Sequence, residues 1–536
     1  FASTGAVLEV VGIDPDNALV AQWRARVERA VRRLGWDGEP RIVARRHAKG
    51  MSLAVSAPFD QLFTATELNE WALCSALHER DPSHWGALKE TLVAAAIEAG
   101  SVTADTLPPE IDEEPALARL EKLAAAEARP DLRALVDATE SRDLPWLLDD
   151  AVISIGCGAG SRSFSLGSLP FVADVPWSDL HDVPMALVTG SNGKTTTVRL
   201  IAACLRAAGY RPGYSCTDGL FIAGETIDSG DYSGPVGART VLRQRRVEAA
   251  VLETARGGIL RRGLAVARAH AAVVTNVSAD HLGEYGIDDL GALADVKLTV
   301  ASVVGRTGLL VLNADDAMLR AKAGDLESRS GYRPPIGWFS LDAEHALLRS
   351  HRAAGGATCG VRDGHLLLVR AGDESDLGPI ARMPLTVDGL ASYNVANLAG
   401  AALAAVALGV EPATVTAAFA SFGADPGDNA GRLMRFDFDG AKVLLDYAHN
   451  PDGLRGLLRV AAGLRGGAGR LGLLLGHAGN REDADFERLA AAAAEFNPDL
   501  VVVKEIEGYL RGRAPGEVPR LIRSALLRHG LPESAL

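Results

Sequence analysis

The chain has 536 residues, 48% hydrophobic and 23% charged, a length too great for one core and suited to about three or four domains. A formal charge of −13 argues against a protein that grips nucleic acid through clustered Lys and Arg, and even the long apolar run ANLAGAALAAVALGV is too short and alanine-rich to span a bilayer. The start shows no signal-peptide layout, and the five cysteines (Cys74, Cys157, Cys204, Cys216, Cys359) form no C-x-x-C pair, so the expectation is a cytoplasmic protein with buried, reduced thiols and no nucleic-acid or membrane partner.

Residues 1–150 read as an α+β domain of unclear role. GAVLEVVGI is strand-like, VAQWRARVERAVRRLGW is a basic helix, and a charge-rich helical tract runs from about Glu114 to Arg142. The glycine- and serine-rich ISIGCGAGSRSFSLGSLP reads as part of a linker over 151–183. No internal repeat at solenoid periods is seen.

From 184 to 423 short apolar strands alternate with amphipathic helices: MALVTG, then TTTVRLIAACLRAAG, then VEAAVLE and AAVVTNV. Strands that are apolar throughout predict a mostly parallel sheet covered on both faces, an α/β nucleotide-binding architecture. A second alternating series over 424–536 has strands in AKVLLDYA, RLGLLLG and DLVVVKEI and predicts a smaller α/β, Rossmann-like domain. SFGADPGDNAGR, rich in turn residues, is the boundary and a candidate hinge.

LVTGSNGKTTTVRL lies between a strand and a helix, the setting of a phosphate-binding loop, although Val188 stands where the usual G-x-x-x-x-G-K-[ST] spacing needs glycine. Backbone amides at Gly190, Ser191, Asn192 and Gly193 and the helix N-terminus suit phosphate oxygens, Lys194 supplies a point charge, and Thr195 or Thr196 a hydroxyl for magnesium. Glu253, Asp280 and His281 follow apolar runs and would face that loop as metal ligands. Each alone reads equally well as a helix cap or surface residue. On composition Lys297 is an ordinary solvated helix lysine.

GSNGKTTT, ETARGGILRRGL, TNVSADHLG, LNADD, YNVANLAGA, Gly431–Arg432, DYAHNPDGL and YLRGRAPGEV occur in the order that resembles the Mur ligase superfamily. The set is most similar to the C-terminal, Mur-ligase-like half of cyanophycin synthetases, here without their ATP-grasp module. Mur-type loops place the first glycine three residues before the second, as Gly190 and Gly193 are. The resemblance implies an ATP-dependent, ADP-forming carbon–nitrogen ligase that activates a carboxylate as an acyl phosphate for attack by an amine. It implies ATP and two magnesium ions as cofactors. Lys194 would hold the β- and γ-phosphates, with Thr195, Glu253 and His281 on metal and Lys297 supporting the second ion if carbamylated.

The resemblance further places Asn394 and Asn397 near the adenine, although Tyr393 stands where the family has histidine. Arg432 would reach the γ-phosphate from the last domain, and Asp446 and His449 would face the nucleotide. The implied partners are small molecules or peptides, an acidic acceptor and an amino-acid amine; assembly as a homo-oligomer is left open. Arg256, Arg261, Arg262, Arg511 and Arg513 are candidates for pairing with substrate carboxylates, or solvated helix arginines. The acid is read as an aspartyl carboxylate and the amine as arginine or a β-aspartyl-arginine unit. Another amino-acid conjugation, or a nucleotide-binding partner that does not ligate, are the alternatives. FDQLFTATELNEWAL resembles the start of the same synthetases and carries no legible catalytic role.

Overall fold

The computed structural model describes residues 4–12, 16–36, 41–48, 50–82, 111–280, 282–327, 331–465 and 469–536. Contacts divide it into two units, and the division does not follow the chain simply. One unit comprises Phe1–Arg142, Leu166–Val175 and Leu282–Asp289; the other comprises Asp143–Ser165, Pro176–His281 and Leu290–Leu536.

In the first unit, β1 (Gly5–Val11), β2 (Ile42–His47) and β3 (Gly50–Ser56) form an antiparallel sheet in the order β1-β3-β2. Helix α1 (Asn17–Leu34) starts where the Asp16 side chain accepts from Leu19 N and stops at Gly35 in the left-handed conformation. With α2 (Leu62–Arg80) it buries Leu19, Trp23, Leu68 and Trp71 against Met51 and Leu53. Asn69 sits in that core: its Oδ1 accepts from the Trp23 indole at 2.9 Å and its Nδ2 donates to Leu53 O at 2.9 Å. The ATELNEW run is therefore core and its satisfied polar link.

The helical tract from Glu114 breaks into α3 (Glu113–Glu127) and α4 (Pro130–Glu140), because Pro130 suits a first helical turn and not an interior. Asp60 buttresses that junction. Burial alone would raise its carboxyl, yet Arg133, at 2.7 Å to each oxygen, and Arg129 N at 2.8 Å hold it below the usual range. Segment 282–289 belongs here through two bonds: Arg45 donates to Tyr285 O at 2.8 Å and Ala48 N to Asp288 Oδ2 at 2.9 Å.

In the second unit, part of the glycine- and serine-rich stretch is a sheet and not a linker. β4 (Trp146–Leu148), β5 (Val152–Ile155) and β6 (Arg162–Ser165) pair antiparallel, with Ile153, Ile155 and Cys157 buried. Apolar residues concentrated in VISI give this piece a core side that its composition hides.

The main sheet has eleven strands: β7 (Met185–Thr189), β8 (Pro212–Cys216), β9 (Gly219–Ile222), β10 (Glu225–Ser229), β11 (Ala249–Glu253), β12 (Ala269–Val274), β13 (Val304–Asn313), β14 (Ile336–Ser340), β15 (Ala357–Arg362), β16 (His365–Arg370) and β17 (Asp373–Pro379). Their order is β10-β9-β8-β11-β7-β12-β13-β14-β15-β16-β17. The run from β8 to β15 is parallel, and each flank ends in antiparallel strands. Helices α5 (Lys194–Ala207) and α6 (Ser392–Ala407) pack on it through Leu200, Ile201, Leu398 and Leu403.

After residue 431 the first strand departs from the expected alternating series. β18 (Met434–Phe438) and β19 (Ala441–Leu445) make an antiparallel hairpin, while β20 (Gly472–Leu475) and β21 (Leu500–Val503) pair parallel in a separate sheet. The turn is Asp439–Gly440, both at positive φ, and this Asp-Gly pair between apolar strands was a hairpin signal in the sequence. Helices α7 (Pro451–Arg465), α8 (Asp483–Ala494) and α9 (Glu517–Arg528) bury Leu454, Phe486 and Ile522 around β20 and β21. Among the described residues no helix is long and apolar enough to cross a membrane. All five cysteines are free, four of them buried, and burial pushes the Cys204 thiol up to about 12, well outside the reactive range.

Candidate active site

The loop after β7 lies at the carboxyl end of the parallel strands, where open α/β sheets bind ligands. Gly190 (φ +145°) and Gly193 (φ +83°) have conformations that side chains resist. They also have no room for one: a Cβ on Gly190 would strike Thr275 Oγ1, and one on Gly193 would strike Asn397 Oδ1. The spacing that departs from the commoner loop thus answers to two identifiable neighbours.

A collar from β12 holds the loop in shape. Ser191 N donates to Asn276 O, Asn192 N to Asn276 Oδ1 at 2.9 Å, and Thr275 Oγ1 and Asn276 Nδ2 donate to Asn192 O at 2.6 and 3.1 Å. Ser191 Oγ donates to Ser278 O at 2.9 Å. The Ser191 and Asn192 amides, expected to meet phosphate, are thus spent on the collar. The first-turn amides of α5, from Gly193 onward, have no intrahelical partner and carry the positive end of the helix dipole. Lys194 Nζ donates to Ser191 O at 3.1 Å, folded over the loop it would neutralise.

Glu253, 1% exposed at the end of β11, accepts from Thr195 Oγ1 at 2.8 Å and from Thr217 Oγ1 at 2.9 Å. Thr196 accepts from Asn429 Nδ2 at 3.3 Å. This hard-oxygen donor set fits magnesium, which keeps waters and phosphate oxygens beside one or two protein groups. No cluster of three or more His, Cys, Asp or Glu forms a ready-made cage among the described residues. His281 lies outside the described residues.

Lys297 is no solvated lysine: it is 3% exposed on the helix Leu290–Lys297. Burial first, then the nearby Lys194 charge, pushes its ammonium down to about 7, against an opposing pull from Asp280. Asp280 is in turn held by Arg481 at 3.3 Å and by His449 Nε2 at 3.5 Å, both from the segment after residue 431. From that segment Arg432 reaches within 3.5 Å of Thr195 Oγ1 and of Asp218 Oδ1 and lies over the Tyr447 ring. Asn450 Nδ2 donates to Asn192 Oδ1 at 2.8 Å. Asp446 accepts from Leu433 N at 2.7 Å, and burial raises its carboxyl.

Asn394 and Asn397 are buried and bonded to each other at 3.1 Å, with Asn394 Nδ2 also donating to Leu385 O at 3.0 Å, so their visible work is to wall Gly193. They, Lys194, Glu253, Arg432, Asp446 and His449 line one cavity of about 470 Å³, a volume suited to a nucleotide. Among the arginines proposed for substrate, Arg513 is spent on Asp483, Glu517, Gly479 O and Arg481 O, and Arg511 stacks on Tyr509. Arg261 bonds Gly257 O of its own helix, Arg256 is buried, and Arg262 is exposed. Thr275, Asn276, Ser278, Asn450 and Arg481 escaped the sequence reading; TNVS and HNP stand inside the recognised motifs, but only tertiary contact gives them a task.

The Mur ligase middle domain matches residues 188–405, and the Mur ligase, glutamate ligase domain matches residues 431–533. A cyanophycin synthetase of Nostoc sp. is 38% identical over 64% of this chain and 37% of its own length. A UDP-N-acetylmuramate–L-alanine ligase of Kineococcus radiotolerans is 31% identical over 60% of this chain and 58% of its own. Among solved structures, E. coli FolC in complex with DHPP and ADP is 20% identical with a TM-score of 0.48, over 64% of this chain and 78% of that one. The chain spans about two fifths of the cyanophycin synthetases it matches. By its middle and C-terminal domains it belongs to the Mur ligases.

Proposed function

We propose that this chain is an ATP-dependent ligase that couples a carboxylate to an amine, the acid being an aspartyl carboxylate and the amine arginine or a β-aspartyl-arginine unit. The observation that carries the chemistry is the meeting of Lys194, the Thr195–Glu253 pair and Arg432 around one cavity. The substrate assignment rests on the similarity to cyanophycin synthetases.

When bound, ATP supplies the phosphoryl group that turns a carboxylate oxygen into a leaving group, and magnesium offsets the charge of its phosphates. Lys194 and the first-turn amides of α5 hold the phosphates in line with the acid. Thr195 and Glu253 would hold one magnesium, and His281 the other. Arg432, reaching Thr195 from the later domain, stabilises charge on the transferring group and keeps water out. The γ-phosphoryl moves to the carboxylate oxygen, leaving ADP; the amine nitrogen then bonds the acyl carbon, releasing phosphate and a proton. With an ammonium near 7, Lys297 is partly neutral at neutral pH and suited to take up CO2, losing a proton to become a carbamate whose oxygens would face the second magnesium. Asn394, Asn397, Asp446 and His449 would frame the nucleotide.

The test is phosphate release from ATP across aspartate, β-aspartyl-arginine, arginine, lysine and other amino acids, with product mass measured. The expected result is release that needs both an acid and an amine and yields their condensed mass. Release indifferent to both, or binding of ATP with no product from any pair, would overturn the reading in favour of a non-ligating nucleotide-binding partner.

A further inference from the structure

Between β8 and β9 the chain turns on two residues, Thr217 and Asp218, since Cys216 and Gly219 already pair across the strands. So short a turn sends its side chains to fixed places. Thr217 bonds Glu253 through both its hydroxyl, at 2.9 Å, and its amide, at 3.4 Å. Asp218 stands between two arginines: its Oδ2 accepts from Arg199 at 2.9 Å, and its Oδ1 lies 3.5 Å from the Arg432 guanidinium.

Arg199 follows Thr195 by one turn of α5 and is 6% exposed. Its Nη1 donates to Ala430 O at 2.8 Å and to Asn429 Oδ1 at 3.4 Å, while Asn429 Nδ2 donates to Thr196 Oγ1 and, at 3.2 Å, to Arg432 O. These contacts close a ring from Arg199 through Asp218 and Arg432 and back along residues 429–432. The Arg432 guanidinium is its loosest member: it meets Asp218 and Thr195 Oγ1 at 3.5 Å and Gly431 O at 3.3 Å, all longer than an ordinary hydrogen bond.

Arg199 and Arg432, both within reach of one carboxylate, would repel each other without it, so Asp218 is what lets Arg432 rest beside Thr195. A carboxylate there would by itself also repel the phosphates that Arg432 is to meet. Arg199 removes that cost, because it keeps the acid neutralised when Arg432 turns away from it. We infer that Asp218 is a positioning residue for the proposed phosphoryl transfer: paired with Arg199, it parks Arg432 at the phosphate loop and yields it to the transferring group, while Thr217 fixes the turn to Glu253. This rests on the ligase reading.

The experiment uses the full chain in two assays: acid- and amine-dependent ATP turnover, and calorimetric binding of ADP and magnesium with and without aluminium fluoride, a mimic of the transferring phosphoryl group. Asp218→Asn is expected to lower kcat about tenfold, roughly one charged hydrogen bond, with the KM for ATP within about twofold. Made in Arg432→Gln, the same substitution should lower kcat by less than about twofold, because Asp218 acts through Arg432. An equal loss in both backgrounds, a loss confined to KM, or no loss overturns the assignment, the first marking Asp218 as a plain support for Arg199. If Asp218→Asn does not fold, Asp218→Glu, which keeps an acid for Arg199 and shifts it by one methylene, carries the same comparison. If no acid and amine support turnover, the ligase reading fails on its own and calorimetry decides. Aluminium fluoride should then tighten ADP binding to the unaltered chain, and Asp218→Asn should remove about tenfold of that gain while leaving the binding of ADP alone unchanged. No tightening in the unaltered chain, or tightening that survives Asp218→Asn, refutes the assignment.

Discussion

Asn69 in the first unit and Lys297 in the second are both polar side chains sealed from water, and their surroundings differ in kind. Asn69 gives and receives hydrogen bonds with Leu53 and Trp23, and everything around it favours the group as it is. Lys297 is buried beside another lysine, and its surroundings oppose the charge that it would carry in water. A satisfied polar group marks architecture; one whose ionisation is opposed marks a site, since the environment has been built for something else to bind there.

The comparison breaks most visibly if Lys297 is not strained. Its unfolded form keeps the proton up to about 10.5 and its folded form releases it above about 7. The penalty is therefore full below pH 7 and fades as pH rises towards 10.5. Without nucleotide, metal or CO2, the stability of the unaltered chain relative to Lys297→Met should rise across that window, by at most about 5 kcal/mol. Urea titrations at pH 6.5 and 9.5 read it, and parallel curves would place Lys297 with Asn69. Next in size, Lys194→Ala should lower acid- and amine-dependent turnover by about a thousandfold. Its denaturation midpoint should stay close to that of the unaltered chain, because among the described residues Lys194 bonds only a loop carbonyl.

Asn69→Leu sharpens the other side. It leaves the Trp23 indole without its acceptor and takes one donor from the Leu53 carbonyl, and should cost about 2–3 kcal/mol in chemical denaturation, with activity per folded molecule preserved. Smallest is Asn450→Ala, which removes one bond to the phosphate loop and the cap that Gly453 N finds on its Oδ1; the KM for ATP should rise a few-fold, and the denaturation free energy should fall by about 1 kcal/mol.

Much of this was legible in order along the chain. The glycine spacing of the phosphate loop, the apolar parallel strands and the positions of Glu253 and Arg432 are local patterns, and local patterns survive in sequence. Lys297 shows the limit: its own helix says nothing of Lys194, a hundred residues earlier. The Thr275–Ser278 collar and Arg481 on Asp280 are likewise set by contacts between distant segments. Asp439–Gly440 is a different failure, a turn signal present in the sequence and overridden by the rhythm of the strands around it.

Between Asp280 and Lys297 the chain leaves the unit that contains both and spends Leu282–Asp289 in the other, tied there by Arg45 and Ala48. Removing residues 1–142 would strip that excursion of its anchors while leaving every Mur ligase motif in place. The shortened chain should be nicked by protease between 282 and 289 long before the full chain is.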